Sequence, residues 1–394
     1  MTQKMKTVPN LRFPGFDGKW NHIEIGSIAK TITSGSRDWA QHYADTGSKF
    51  IRMTNLPRGG IQLLLDDMKF VELPEDSSEG KRTSLEAHDI LISITAELGK
   101  IGWVPPNFGI AYINQHTALV RLDLERADAR FVAHLLSSEE MNNNINSLND
   151  SGAKAGLNLP TIRTFPLHLP ALPEQQKIAD FLTSVDVRLQ QLNQKKALLE
   201  DYKKGVMQQL FTQALRFKDD HGNEFPDWEE ETLGNVCKIR TGKKDVNEGN
   251  PNGAYPFFTC AKKHTFSDSF SFDAKAVLIA GNGEVGHCQF YEGKFEAYQR
   301  TYVLTDFKRS EDYIFIYLNH FFRAVVDQQK QMGAMPYIKI GMLTDFAIPF
   351  PTSFEEQTKI TNFLSALDRK IETVAAQITH TQTFKKGLLQ QMFV

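Results

Sequence analysis

Cysteine is scarce in this 394-residue sequence: Cys237, Cys260 and Cys288 are the only three. They are widely spaced, and no Cys-x-x-Cys pair is present to begin a zinc site or a redox motif. Free thiols in a reducing cytosol are therefore expected. Long apolar runs are also lacking. No stretch approaches the ~20 apolar residues a membrane helix needs, and Met1 to Asn10 carries lysines without the apolar core of a signal peptide. These absences predict a soluble, cytoplasmic protein without a membrane partner. Nor is there an excess of either charge. A formal net charge of −2 and a pI near 6.6 exclude a protein that coats nucleic acid indiscriminately, because such binding depends on many lysines and arginines neutralising phosphates. A local basic face stays compatible with that balance.

Catalytic signatures are missing too. There is no Walker lysine motif, no His-Glu-x-x-His and no Gly-x-Ser-x-Gly. Gly281-Asn282-Gly283-Glu284-Val285-Gly286 has the letters of a dinucleotide fingerprint, but a true one opens a helix, and His287 to Tyr291 reads as a strand. Val104-Pro105-Pro106-Asn107-Phe108 is similar to the Asn/Asp-Pro-Pro-Tyr/Phe motif of amino-methyltransferases, yet valine cannot grip an amine. Pro226-Asp227 with the distant Glu292-Gly293-Lys294 is too scattered to be a nuclease triad. The sequence therefore predicts no catalytic residue, no metal site and a binding protein.

What is present is a repeat. Glu174-Gln175-Gln176-Lys177-Ile178 to Leu182 recurs 182 residues later as Glu356-Gln357-Thr358-Lys359-Ile360 to Leu364, and Tyr202-Lys203-Lys204-Gly205 to Phe211 recurs as Phe384-Lys385-Lys386-Gly387 to Phe393 at the same offset. A register that never slips marks a rigid element, because loops tolerate insertions. Apolar residues at alternating steps of four and three then define a heptad seam. In the first copy the seam is Ile178, Leu182, Val185, Leu189, Leu192, Leu199, Val206 and Leu210, with Lys196 and Lys203 in the remaining places. In the second it is Ile360, Leu364, Leu367, Ile371, Val374, Ile378, Leu388 and Met392, with Thr381 and Lys385 as exceptions. Helices are predicted from Glu174 to Phe211 and from Glu356 to Phe393, each ~57 Å long, the first opened by Pro173. Gly205 and Gly387 sit inside them at matched positions, where close approach of another backbone would explain a residue that costs up to ~1 kcal/mol against alanine.

The repeat extends beyond the helices. Trp20 with Ile25-Gly26-Ser27-Ile28 matches Trp228 with Leu233-Gly234-Asn235-Val236 at an offset of 208, so the two intervening domains differ in length. Short apolar runs bounded by glycine, proline and asparagine predict strands and turns in both. Asp89 to Ile94 leading to Gly99-Lys100-Ile101-Gly102 parallels Ala276 to Ala280 leading to Gly283-Glu284-Val285-Gly286. Helices are expected near Ala129 to Leu136 and Asp312 to Phe322. The fold class is mixed α/β. The predicted segments are a first variable domain at 1–170, a helix at 171–214, a second variable domain at 215–350 and a helix at 351–394.

Leu11-Arg12-Phe13-Pro14-Gly15-Phe16 before Trp20, the Asp89 to Ser93 strand, and Leu167-His168-Leu169-Pro170-Ala171-Leu172-Pro173 running into Glu174-Gln175 give the chain its resemblance to type I restriction-modification specificity subunits. The second approach, Ile348 to Glu356, departs from the first by placing acidic residues where a proline precedes the first helix. The resemblance implies two target-recognition domains that each read half of a split sequence in double-stranded DNA, and conserved helices that pack as an antiparallel coiled coil. It implies two modification subunits docked on those helices and restriction subunits beyond them. S-adenosylmethionine, ATP and magnesium would then belong to the partner subunits, with no cofactor in this chain. The pseudo-twofold repeat suits one chain that must bind two identical partners, and a stiff spacer would set the distance between half-sites. The alternatives are a stand-alone DNA methyltransferase or nuclease with degenerate motifs, which would bind S-adenosylmethionine alone, and a coiled-coil scaffold that does not read DNA.

Base reading needs arginine, asparagine or glutamine at base edges, whereas phosphates need only positive charge. On that ground the DNA-contact candidates of the first domain are Arg37, Arg52, Arg58, Arg82, His116 and Lys154, all near turn-like segments. Those of the second form clusters: Lys243 with Lys244; Lys262, Lys263 and His264; and Tyr298, Gln299 and Arg300.

Overall fold

The computed structural model describes residues 8–74, 80, 82–148, 156–330 and 337–394. Its contacts group into two compact units, 1–196 with 374–394 and 197–373. Each long helix therefore contributes to both. The first, Leu172–Phe211, gives 172–196 to unit 1 and 197–211 to unit 2; the second, Phe354–Met392, gives 354–373 to unit 2 and 374–392 to unit 1. The helices begin two residues earlier than the motif predicts. Pro173 is tolerated in the first turn because its missing N–H has no helical acceptor to lose.

Unit 1 is built on a four-stranded antiparallel sheet ordered Ala29–Ser34, Thr117–Leu122, Ile90–Ser93, Ile101–Trp103. Every residue of Ile90–Ser93 is buried, as its unbroken apolar run requires. A second small sheet joins Tyr43–Ala44, Lys69–Val71, Ser48–Ile51 and Ala111–Ile113, in that order. The helix Ala129–Ser137, capped by Asp128, packs Phe131 against Trp20 and Phe393 at ring distances of 5.6 and 5.3 Å. One apolar cluster merges this helix with Ile178, Leu182 and Val185 of the first long helix and Leu388 and Met392 of the second.

Unit 2 repeats the plan with one six-stranded sheet: Lys238–Thr241, Thr301–Thr305, Phe272–Ala280, Cys288–Ala297, Tyr255–Phe258, Thr265–Ser267. The ten-residue strand Cys288–Ala297 pairs with both Phe272–Ala280 and Tyr255–Phe258. In unit 1 that work is divided between Ile101–Trp103 and Ala111–Ile113. The break falls at Val104-Pro105-Pro106-Asn107, where two prolines remove ladder donors and Asn107 adopts φ 60°. The Pro-Pro pair that is similar to a methyltransferase motif is thus a strand breaker. The equivalent apolar cluster gathers Val206 and Leu210 of the first long helix with Ile360, Leu364 and Leu367 of the second.

The seam residues are buried or half-buried throughout, and two of its lysine exceptions carry ion pairs. In unit 1 Lys385 Nζ lies 2.6 Å from Asp186 Oδ1; in unit 2 Lys203 Nζ lies 2.5 Å from Asp368 Oδ1. These four residues are repeat equivalents. The expectation for Gly205 and Gly387 needs correction: among the described residues a Cβ at either would meet nothing within 4 Å, so no described backbone requires glycine there. The helix expected over Asp312 to Phe322 runs as Glu311–Tyr317 and continues as a π-turn, Leu318–Phe322.

Candidate nucleic-acid interface

The repeated Glu-Gln pair is a latch that fixes each helix start to its own unit. Glu174, 1% exposed, takes two hydrogen bonds from the Arg12 guanidinium at 2.6 and 2.7 Å. Gln175 accepts from the Asp128 backbone N–H and donates to the Pro170 carbonyl. In unit 2 Arg216 holds Glu356 at 3.0 and 2.9 Å, while Gln357 accepts from Ser310 N–H and donates to Pro351. Bonding to its glutamate holds each guanidinium above its ordinary pKa. Sequence alone gives no role to Arg12, which appears there only within the Leu11 to Phe16 motif, or to Arg216, although Arg12-Phe13 and Arg216-Phe217 are a legible repeat. Phe13 and Phe217 each meet an equivalent helix phenylalanine, Phe181 or Phe363, edge-on.

Away from the latch, backbone hydrogen bonds sew three turns of each unit into one cluster. In unit 1 Gln115 N–H donates to Ser36 and Ile94 N–H donates to His116; Thr117 N–H closes the turn on Asn114. In unit 2 Gln299 N–H donates to Lys244, Gly281 N–H to Arg300 and Thr301 N–H to Tyr298, each the counterpart of one bond in unit 1. The chain passes so close that a Cβ on Gly35 would stand 2.2 Å from the Ile113 carbonyl oxygen, and one on Gly242 1.8 Å from that of Ala297. The aligned turns are Asn114-Gln115-His116-Thr117 and Tyr298-Gln299-Arg300-Thr301. Gln115, absent from the sequence-based candidates, stands where Gln299 does; an NQHT against YQRT alignment was the available signal.

The cluster in unit 1 gathers Arg37, which follows Ser36, His116, and Arg58 through its 2.9 Å ion pair with Glu97. His116 is held on both sides, Nδ1 2.8 Å from Thr95 Oγ1 and Nε2 3.0 Å from Gln115 Nε2. Arg52 is instead bonded to Asp67, and Arg82 lies exposed on a turn. Among the described residues neither side chain forms a hydrogen bond or ion pair with the cluster. Lys154 lies outside the described residues.

In unit 2 all three candidate groups converge. The turn carrying Lys262, Lys263 and His264 is joined to it by Glu284 N–H donating to the Cys260 carbonyl and by the Cys260 thiol donating to the Arg300 carbonyl. Lys243, Lys263, His264, Gln299 and Arg300 are exposed, and Tyr298 is half-buried. Lys244 is turned inward: its ammonium binds Ser267 and Ser269 and lies 3.7 Å from buried Glu296. Gln299 Nε2 donates to Asp245 at 3.3 Å, and Lys262 sits 3.8 Å from Glu284. The Gly281 to Gly286 turn leads into the strand Cys288–Ala297, not a helix, so its letters serve this junction. Among the described residues no group of three or more His, Cys, Asp or Glu could hold a metal ion, and no helix is long and apolar enough to cross a membrane. Cys237 and Cys288 are pushed up to about 12 by burial, which leaves both thiols protonated.

The family model for the type I restriction modification DNA specificity domain matches residues 18–201 and again 226–380. The EcoDI type I restriction enzyme specificity subunit of Escherichia coli is 36% identical over 164 residues, covering 42% of this chain and 36% of that protein. The MjaVIII specificity subunit of Methanocaldococcus jannaschii is 25% identical over 257 residues, covering 56% of this chain and 59% of that protein. This chain therefore spans less than two thirds of either relative. The crystal structure of a type I restriction-modification S subunit from M. genitalium shares the fold, with a TM-score of 0.66, 16% identity, and coverage of 98% of this chain and 99% of the other.

Proposed function

The chain belongs to the type I restriction modification DNA specificity family, and from that premise we propose that it selects a two-part DNA sequence for a modification and restriction complex. The observation that carries this reading is the pair of equivalent turn clusters, one per unit, with the same hydrogen-bonded frame and different exposed side chains. A constant frame presents the reader, and the variable side chains set what is read. Gln115, Arg37 and Arg58 face one half-site in this reading; Lys243, Lys263, His264, Gln299 and Arg300 face the other.

Two copies of a modification subunit would dock on the duplicated helices, and restriction subunits would join through them. Support comes from Tyr202 and Phe384, exposed aromatics at repeat-equivalent positions, each three residues before an open glycine, Gly205 or Gly387. Residues three apart share a helix face, so each helix offers an aromatic knob beside a bare notch that no described residue fills. S-adenosylmethionine, ATP and magnesium would serve the partner subunits, with the chemistry there.

Mapping methylated positions in DNA from cells that express the chain with its modification partner tests the reading. A split motif with a fixed spacer is expected. Inserting seven residues into both helices, where each passes from one unit to the other, should lengthen the spacer by up to roughly 3 base pairs, from 1.5 Å per helical residue and 3.4 Å per base pair. Both half-sites should keep their bases. A continuous motif, or half-site bases that change with the insertion, would count against it.

A further inference from the structure

Within each turn cluster one position combines a fixed backbone with a different side chain in the two units: His116 in unit 1 and Arg300 in unit 2. The backbone at Arg300 is pinned from four directions. Its carbonyl accepts from Gly281 N–H at 3.0 Å and from the Cys260 thiol at 3.3 Å, Gln299 N–H donates to Lys244, and Thr301 Oγ1 donates to the Phe258 carbonyl at 2.9 Å. The guanidinium itself is exposed and has no ion-pair or hydrogen-bond partner among the described residues. A phosphate contact needs charge but not such fixity, whereas a bidentate base contact needs its side chain launched from a well-held point. The neighbouring turns already supply exposed Lys243 and Lys263 for phosphates.

We infer that Arg300 reads a guanine in the half-site bound by unit 2, and that in unit 1, where His116 occupies the equivalent place, the preceding residue Gln115, oriented by His116, reads an adenine. The inference rests on the DNA-reading function proposed above and assigns base identity within it. In unit 1 the imidazole is committed on both ring nitrogens. If the Gln115 amide donates to Nε2, the proton sits on Nδ1 and is given to Thr95 Oγ1, which leaves the Gln115 carbonyl and its second N–H for the donor and acceptor of adenine. His116 is thus a positioning residue, and the specificity contact belongs to Gln115.

The test is the methylation motif written by the assembled complex carrying Arg300→Ala, Arg300→Gln, Gln115→Ala, His116→Ala or Lys263→Ala. Arg300→Ala should lose roughly 10- to 100-fold of its preference for guanine at a single position of one half-site, leaving the other half-site intact. Arg300→Gln guards against a folding defect and should show the same single-position change, shifted towards adenine. Gln115→Ala should relax one position in the opposite half-site, and His116→Ala should relax that same position more weakly. Lys263→Ala should lower methylation of all sites evenly without altering the motif. An unchanged motif for either Arg300 variant at normal methylation, or relaxation in both half-sites at once, would overturn the inference. Failure of the wild-type complex to write a split motif would instead remove the functional reading beneath it.

Discussion

The two units use one set of joints in two environments, and the difference separates what the frame requires from what each unit adds. In unit 2 the seam pair Lys203–Asp368 is partly open, at 23% and 44% side-chain exposure. In unit 1 its counterpart, Lys385–Asp186, is closed over at 6% and 7%. Behind the closed pair lies fully buried His134, its Nε2 3.9 Å from Asp186 Oδ2. The structurally equivalent residue in unit 2, three along from Tyr313 as His134 is from Phe131, is Ile316. The latch differs as well. Trp228 donates its indole N–H to Glu356 at 3.1 Å, whereas the buried Trp20 indole N–H has no partner among the described residues. The latch is polar in both units, but among the described residues only unit 1 closes its seam ion pair off from solvent and only unit 2 ties its tryptophan to the latch.

Breaking the latch should have the largest effect. Glu174→Ala and Glu356→Ala each remove two charge-assisted hydrogen bonds from a guanidinium, which then keeps only backbone carbonyl acceptors, Gly18 and Asp17 for Arg12 and Phe225 and Pro226 for Arg216. The expected loss is about 2–3 kcal/mol apiece, at the lower end for a buried pair because both arginines keep some solvent. Glu356→Ala should exceed Glu174→Ala by about 1 kcal/mol, since it also removes the acceptor of Trp228. Urea unfolding of the two variants compares them directly. Equal losses would mean that the tryptophan bond contributes nothing and that the two latches are interchangeable.

The latch also marks how far the sequence could be followed. Glu174-Gln175 and Glu356-Gln357 stood out because the helices cannot slip register, so repetition survives there letter by letter. The heptad pattern placed both helices to within two residues. The arginines that face those glutamates sit in segments that differ in length, so Arg12 and Arg216 lie 204 residues apart while the helix residues repeat at 182. In the sheets the same physics reversed the meaning of two motifs: Pro105-Pro106 ends a strand, and Gly281 to Gly286 is a junction between turns. Side-chain commitment was illegible altogether. Lys244 and Arg52 look like free cations in the sequence, and only the fold reveals Glu296 and Asp67 beside them.

The next largest effect concerns the seam. Replacing lysine by methionine preserves most of the volume and removes the charge. Lys385→Met should cost about 2–3 kcal/mol, because Asp186 is left buried without its cation. Lys203→Met should cost less than about 1 kcal/mol, because Asp368 can turn to water. Urea midpoints of the two variants measure the gap, and a Lys203→Met loss as large as that of Lys385→Met would erase the distinction between the closed and open pairs.

The smallest expected effect is the pH dependence that buried His134 adds to unit 1. Burial, helped by the positive charges of Lys385 and Arg130, drives His134 well below its ordinary 6.5, so the folded chain keeps the imidazole neutral where the unfolded chain takes up a proton. As pH falls below about 6.5, the unfolded state therefore gains protons and stability drops, by at most about 1.4 kcal/mol per pH unit for one group. Above that pH the term vanishes. Asp186 acts in the opposite sense: burial pushes its carboxyl up despite Lys385, so protonating it relieves the fold. Comparing wild type with His134→Ile, the residue type unit 2 uses, cancels that second contribution because both proteins keep Asp186. Between pH 7 and pH 5 the wild-type urea midpoint should fall more steeply than that of the variant. Parallel slopes would mean that His134 becomes protonated inside the folded unit, with Asp186 accepting its charge.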